Sequence, residues 1–364
     1  MLILACISAH GFGHGSRTAA VLEALHRRQP QWRLVLSTTL SADFLAMAMG
    51  AVPYEHRPCR WDVGVVQADA LGADASATLA ALADLEQRLP AQVEQEVAWL
   101  RDQGEPVLVL GDVAPSAALL AERLGAPLVW LANFGWDAIY GAMGEAFAGH
   151  ASRARQLYRQ GQLLLECPLA MPMDWGVPKV SLGLTVGQAR LQPQSLAEAL
   201  RLPADPERCV LISFGGLGLD FDPAVLARWP DHLFVGPCRA LEGAANGRLL
   251  PPGVRPLEIM PLCRRIITKP GYSTFCEALS SNLGIHLVHR EGFAEAAVLE
   301  AALRRHGHHR LLTQAQWQAG DWQLDQPLQL PQGPPVAGDG CEQAALALER
   351  LAQDCCHAPK GSIG

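Results

Sequence analysis

Lysine is nearly missing from this chain. Of its 29 basic residues only Lys179, Lys269 and Lys360 are lysine, and 36 acidic residues leave a formal charge of −7. That balance offers no positive field to draw in nucleic acid or an anionic membrane. Also missing is any Cys-x-x-Cys pair: the ten cysteines are scattered, and the only close pair is Cys355-Cys356. Cys6, Cys209 and Cys276 lie inside apolar runs, where cysteine acts as a small hydrophobe. This usage argues against a disulfide framework and for a reduced, cytoplasmic setting. No apolar run reaches the length of a membrane-spanning helix. The opening Met1-Leu2-Ile3-Leu4-Ala5-Cys6-Ile7 has no basic n-region and runs into glycines, so it reads as a first strand and not a signal peptide.

What remains is a chain of 364 residues, 49% apolar, with room for two ordinary domains. Apolar runs and amphipathic stretches alternate. Leu2 to Ser8, Arg33 to Ser37, Pro106 to Leu110 and Pro127 to Leu131 read as strands. Ser16 to Arg28, Thr78 to Arg101 and Pro115 to Leu124 read as helices. Glu166 to Leu184 is rich in Pro, Gly and Met and reads as a connection. A second alternation follows, with strands at Cys209 to Ser213, Leu233 to Val235, Arg265 to Thr268 and Ile285 to Val288. Its helices are Ser273 to Leu279, Ala294 to Arg305 and roughly Cys341 to Ala352. The expectation is a doubled α/β architecture: a Rossmann-like domain over 1–165, a linker over 166–185, a second Rossmann-like domain over 186–340, and a last helix and tail over 341–364.

Two glycine turns carry the chemistry. In Lys269-Pro270-Gly271-Tyr272-Ser273-Thr274-Phe275-Cys276-Glu277, an apolar strand runs into a glycine, two hydroxyls and the start of a helix. Free backbone N–H groups, hydroxyls and a helix N-terminus in one place suit a diphosphate. Glu277, one turn into that helix, is placed to accept hydrogen bonds from a ribose. The other turn, Ser8-Ala9-His10-Gly11-Phe12-Gly13-His14-Gly15-Ser16-Arg17, holds two histidines. Ser273 and Thr274 also suit a simple helix cap.

With both turns placed, the chain resembles the GT-B glycosyltransferases of the UDP-glycosyltransferase and lipid-linked N-acetylglucosaminyltransferase type. Over nearly its whole length it resembles the glycosyltransferase-like N-terminal region of plant L-arabinokinases. The segments that carry this are Gly11-Phe12-Gly13-His14, Val65 to Leu71, Gly111-Asp112-Val113-Ala114-Pro115, Asn133 to Tyr140, Phe214-Gly215-Gly216 and Lys269 to Leu279. The kinase half of the plant proteins has no counterpart here, so arabinose phosphorylation is not implied. The resemblance implies two Rossmann-like domains facing across a cleft, with the last helix crossing back to the first domain. It also implies inverting transfer of a sugar from a UDP-linked donor to a hydroxyl acceptor of unread identity, without a metal or other cofactor.

Site roles follow from the same resemblance. His14 matches the histidine base, and Asp112 the aspartate that orients it; the plainer readings are a packed histidine and a helix N-cap. His10 competes with His14. Gly215, Gly216, Ser273 and Thr274 fall on the diphosphate side, Glu277 on the ribose, and Glu295 on the donor sugar. There the family's glutamine is replaced by Ala296. Gly11, Gly13, Arg17, Trp136 and Asp137 fall on the acceptor side, with Gln67 and Asp69 nearby. Arg17, at the dipole-disfavoured end of a helix, calls for a phosphate, Asp112 or another acid, unless it is simply solvated. Trp136 and Asp137 suit either a sugar or domain packing. Asp220-Phe221-Asp222 and His306-Gly307-His308-His309 resemble metal patterns but lack the right surroundings, so no metal is expected. A GT-B sugar-nucleotide 2-epimerase and a non-catalytic nucleotide-sugar sensor are the rival functions.

Overall fold

The computed structural model describes residues 1–66, 74–215, 221–290 and 294–357, the last three by backbone alone. Gln67, Asp69, Gly216 and Asp220 lie outside the described residues.

Seven strands form the first sheet: β1 (Leu2–Ile7), β2 (Arg33–Ser37), β3 (Glu55–Arg57), β4 (Val107–Asp112), β5 (Leu128–Ala132), β6 (Leu163–Glu166) and β7 (Lys179–Ser181). Their order is β3-β2-β1-β4-β5-β6-β7, and every pairing is parallel. The second sheet holds β8 (Cys209–Ile212), β9 (Leu233–Gly236), β10 (Gly247–Leu249), β11 (Arg265–Thr268), β12 (Gly284–Val288) and β13 (His309–Leu312). It runs β10-β9-β8-β11-β12-β13, again all parallel. Both sheets are thus doubly wound, and each reverses direction beside its first strand. The sequence dictates this through strands apolar on both faces. All six residues of β1 and all five of β12 are buried, as helix layers above and below a parallel sheet require.

Several elements differ from the sequence reading. The expected linker contains β7, which pairs with β6 and so belongs to the first sheet. Strands β3, β7 and β10 are only three residues long and carry Glu55, Arg57, Lys179 and Arg248 at sheet edges, so no apolar run marks them. The first helix begins at Phe12, four residues before Ser16. His14 therefore sits in its first turn and Arg17 in its second, where the dipole conflict is weaker.

The last helix (Gly340–His357) packs along the first. Ala344, Ala345, Leu348 and Ala352 join the same buried cluster as Leu22 and Leu25. At the rim Arg27 bonds Glu342, and Arg28 and Gln29 bond Glu349. Leu348 is fully buried, so Leu348→Ala should cost about 2–5 kcal/mol. Arg27→Ala, at an exposed pair, should cost less than ~1 kcal/mol. Chemical denaturation of the two variants separates packing from rim charge.

Candidate active site at the domain interface

Each sheet places its functional groups where neighbouring strands diverge. In the first sheet that point lies between β1 and β4, which lead into the glycine turn and to Asp112. Asp112 is the last residue of β4 and is fully buried. Four side-chain bonds converge on it. His14 Nδ1 donates to Oδ1 at 2.8 Å, Arg17 Nη2 to Oδ1 at 2.6 Å, Arg17 Nε to Oδ2 at 2.7 Å, and Thr18 Oγ1 to Oδ2 at 2.7 Å. Burial alone would raise the carboxyl, but Arg17 and His14 outweigh it and hold Asp112 at about 2. An ionised Asp112 cannot donate, so His14 Nδ1 carries the proton in their bond. His14 Nε2 has no hydrogen bond to a described residue. The next residue, Val113, has φ +46°, a strained conformation for a β-branched side chain, and its carbonyl accepts from Tyr158 Oη at 2.5 Å.

The same contacts decide between the two histidines. His10 pairs with no carboxylate of the dyad; its Nδ1 accepts from the Val65 amide at 3.2 Å. Burial, then His14, Arg290 and Lys269, push it down to about 3, which keeps it neutral.

In the second sheet the divergence falls between β8 and β11. Gly215, just past β8, has φ +72°, and no described residue lies within 4 Å of where its Cβ would be. After β11 the cleft helix (Tyr272–Ser280) starts at Gly271 with no side-chain cap, which leaves its first amides unfilled. Thr274 and Glu277 make no side-chain hydrogen bond to a described residue. Burial pushes Glu277 up to about 7, helped by the nearby Glu258 charge and opposed by Arg255. Lys269, at the mouth of the same turn, is lowered to about 8 by burial and then by Arg290.

The two divergence points face each other. Ser273 Oγ donates to the Gly13 carbonyl at 2.8 Å, and a Cβ on Gly13 would lie 3.0 Å from that oxygen. Gly13 thus permits the close approach of the two turns, while Gly11 is the extended cap of the first helix. Asn133, just past β5, donates to Glu295 Oε1 at 2.6 Å and accepts from Arg17 Nη1. The Arg17 guanidinium lies 5.3 Å from the centre of the Tyr272 ring. Glu295 is buried, which raises its carboxyl, while Asn133, His14 and Arg17 act against that rise.

Three residues placed on the acceptor side are instead held by partners within the fold, Arg17 by Asp112, the acid that the sequence reading offered it. Arg17 is 1% exposed and committed to Asp112 and Asn133, so it does not face an acceptor. Trp136 is fully buried, donates from Nε1 to Asp62 Oδ2 at 2.8 Å, and stacks on Tyr140. Asp137 is half-buried and accepts from Trp175 Nε1 at 3.1 Å, within the packing of the first domain. Asn133 and Lys269 lie in segments that the sequence reading quoted, but it gave neither residue a role. Both stand just past the C-terminal end of a strand, and that position was the available signal. A separate depression of about 1300 Å³, lined by Met1, Glu105, Val107 and Leu128 among others, lies at the opposite end of the first sheet. Among the described residues no group of three or more His, Cys, Asp or Glu is placed to hold a metal ion, and no helix is long and apolar enough to cross a membrane.

No family model matches the chain. L-arabinokinase of Arabidopsis thaliana is 28% identical over 306 residues, which is 82% of this chain and 29% of that protein. The chain therefore spans less than a third of that relative. Among solved structures, UGT89C1 of Arabidopsis thaliana complexed with UDP has a TM-score of 0.59 at 10% identity, covering 99% of this chain and 96% of that one. UGT2 of Phytolacca americana complexed with UDP-2-fluoro-glucose and pterostilbene scores 0.59 at 14% identity, covering 97% and 94%. The calicheamicin glycosyltransferase CalG4 scores 0.60 at 17%, covering 98% and 99%. The fold is that of the GT-B glycosyltransferases: two parallel α/β domains facing across a cleft.

Asp112→Ala would strand the buried Arg17 guanidinium and should cost about 3–5 kcal/mol at pH 7. The native Asp112 carboxyl lies at about 2, below its ordinary 3.8. Its contribution is therefore present above about pH 4 and is lost as pH falls from about 4 to 2, on the order of 2 kcal/mol. Denaturant unfolding between pH 6 and 2 should show a flatter acid limb for Asp112→Ala than for the parent.

Proposed function

We propose that this chain is an inverting, metal-independent glycosyltransferase that moves a sugar from a UDP-linked donor to a hydroxyl acceptor in the cytoplasm. The observation that carries the reading is the meeting of two unlike half-sites. One holds a histidine fixed by a buried carboxylate. The other holds a helix N-terminus without a side-chain cap and, one turn in, a carboxylate that no described residue bonds, and Ser273 and Gly13 join them by one hydrogen bond.

The roles follow from chemistry. Amides from Gly271 to Thr274, the Thr274 hydroxyl and the Lys269 ammonium receive the diphosphate, with Gly215 lining the facing turn. Glu277 accepts from the ribose hydroxyls, and the donor sugar lies toward Glu295. His14 Nε2 takes the proton of the acceptor hydroxyl while Nδ1–H stays on Asp112. The acceptor oxygen bonds the anomeric carbon from the face opposite the diphosphate. The carbon–oxygen bond to the diphosphate breaks, and its electron pair leaves with the phosphate oxygen. The helix N-terminus and Lys269 stabilise that developing charge, so the scheme needs no metal. The UDP complexes of proteins with this fold support the uridine assignment.

A nucleotide-sugar sensor is the second reading. Ala296 lacks the family's amide, and Glu295 is engaged by Asn133. Donor consumption with a glycosylated product supports the transferase; nucleotide binding with no consumption supports the sensor.

His14→Ala should lower turnover at least ~100-fold while leaving nucleotide affinity within about twofold. Unchanged turnover removes His14 from the mechanism. In a thermal-shift panel of UDP, GDP, dTDP and ADP, UDP should give the largest rise. Glu277 has a native midpoint of about 7, above its ordinary 4.5. Its ionisation therefore costs stability as pH rises from about 4.5 to 7, and ribose hydroxyls favour the ionised form. Glu277→Gln should then stabilise the free protein above pH 7 by up to about 3 kcal/mol. It should also weaken UDP about tenfold and remove its share of the affinity gain between pH 6 and 8. Calorimetry at the two pH values checks both signs.

A further inference from the structure

We propose that Arg17 is a positioning residue for the base: its guanidinium locks the Asp112 carboxylate in place and opposes protonation of the His14 imidazole. Only the final step of the test rests on the function proposed above.

The geometry is specific. Arg17 Nε and Nη2 bond separate oxygens of Asp112, and Nη1 bonds Asn133 Oδ1. Nη2 also lies 3.1 Å from His14 Nδ1, the nitrogen that already donates to Asp112. Both nitrogens are donors, so this last contact is a juxtaposition of like partial charges. A dyad of histidine and aspartate alone would place an unshared negative charge beside the ring and favour the imidazolium. Here the carboxylate is shared with a permanent cation that is 1% exposed and cannot turn to solvent. Taking up a proton would set an imidazolium against a guanidinium in a site that screens poorly.

The other groups facing the ring come from several elements. His10, just past β1, is held neutral. Asp62 is buried, as is Glu295 from the helix Ala294–His306, and burial favours the protonated form of both. The Phe134 ring stands edge-on at 5.8 Å. Of the groups around the ring, Asp112 and Arg17 are the two whose polar atoms reach the His14 imidazole, at 2.8 and 3.1 Å. The bridge through Asn133 to Glu295, and the Tyr272 ring beside Arg17, tie this guanidinium to the second domain as well. Its position depends on how the two halves are seated.

The test follows the His14 ring directly. In full-length protein carrying isotope-labelled histidine, the His14 signal is assigned by its loss in His14→Gln and titrated by NMR. Arg17→Gln should raise the His14 midpoint by about one unit or more, and Arg17→Lys should bring it back toward the parent. A midpoint unmoved in folded Arg17→Gln overturns the proposal. Should that variant fail to fold, the uncharged pair Arg17→Gln/Asp112→Asn is compared with Asp112→Asn alone. The double variant should titrate higher, and equality overturns the proposal. With UDP-sugar and acceptor, the acid limb of kcat/KM should move the same way in Arg17→Gln, with nucleotide KM unchanged. A shifted midpoint in a protein that turns over no donor leaves Arg17's role standing and removes the transferase reading instead.

Discussion

The ion pair between Asp112 and Arg17 is the constraint on which the site depends. It forms where β1 and β4 part, among residues with no access to water. A carboxylate there is tolerable only with donors on both oxygens, and a guanidinium there only with acceptors along its fork. Each supplies what the other lacks, and Thr18, His14 and Asn133 complete the set. The first helix is anchored to the sheet by this arrangement, and its glycine turn is set opposite the second domain. The orientation of His14 is therefore a by-product of satisfying a buried charge.

Much of the fold was legible because buried parallel strands announce themselves. Runs such as Leu2 to Ile7 and Leu128 to Ala132 are apolar on both faces and stop at polar residues. The short edge strands were not legible, since Lys179-Val180-Ser181 carries no such signature. What recruits that segment is the open edge of β6, a tertiary demand absent from local composition.

The site was legible by position and less so by direction. Residues just past strand ends were the right places to look, and His14 does meet Asp112 there. Sequence could not tell which way a side chain turns. Arg17, Trp136 and Asp137 each point into the first domain because buried partners claim them: a carboxylate, the Asp62 acceptor and the Trp175 indole. Glu277 and Thr274 illustrate the converse, since the lack of a hydrogen bond to any described side chain or backbone group is visible only in three dimensions. Resemblance identified these positions, and packing sorts them into those committed within the fold and those left open for a ligand.

The first helix is held at both ends by parts of the chain distant in sequence. Its leading turn touches Ser273 of the second domain, and its final turn is bound to the last helix through Arg27, Arg28 and Gln29. Over its 17 residues it spans roughly 25 Å. Such a rod transmits displacement with little bending. The last helix and Ser273 of the second domain thus grip the two ends of one rod, and between them they fix where the His14 imidazole stands.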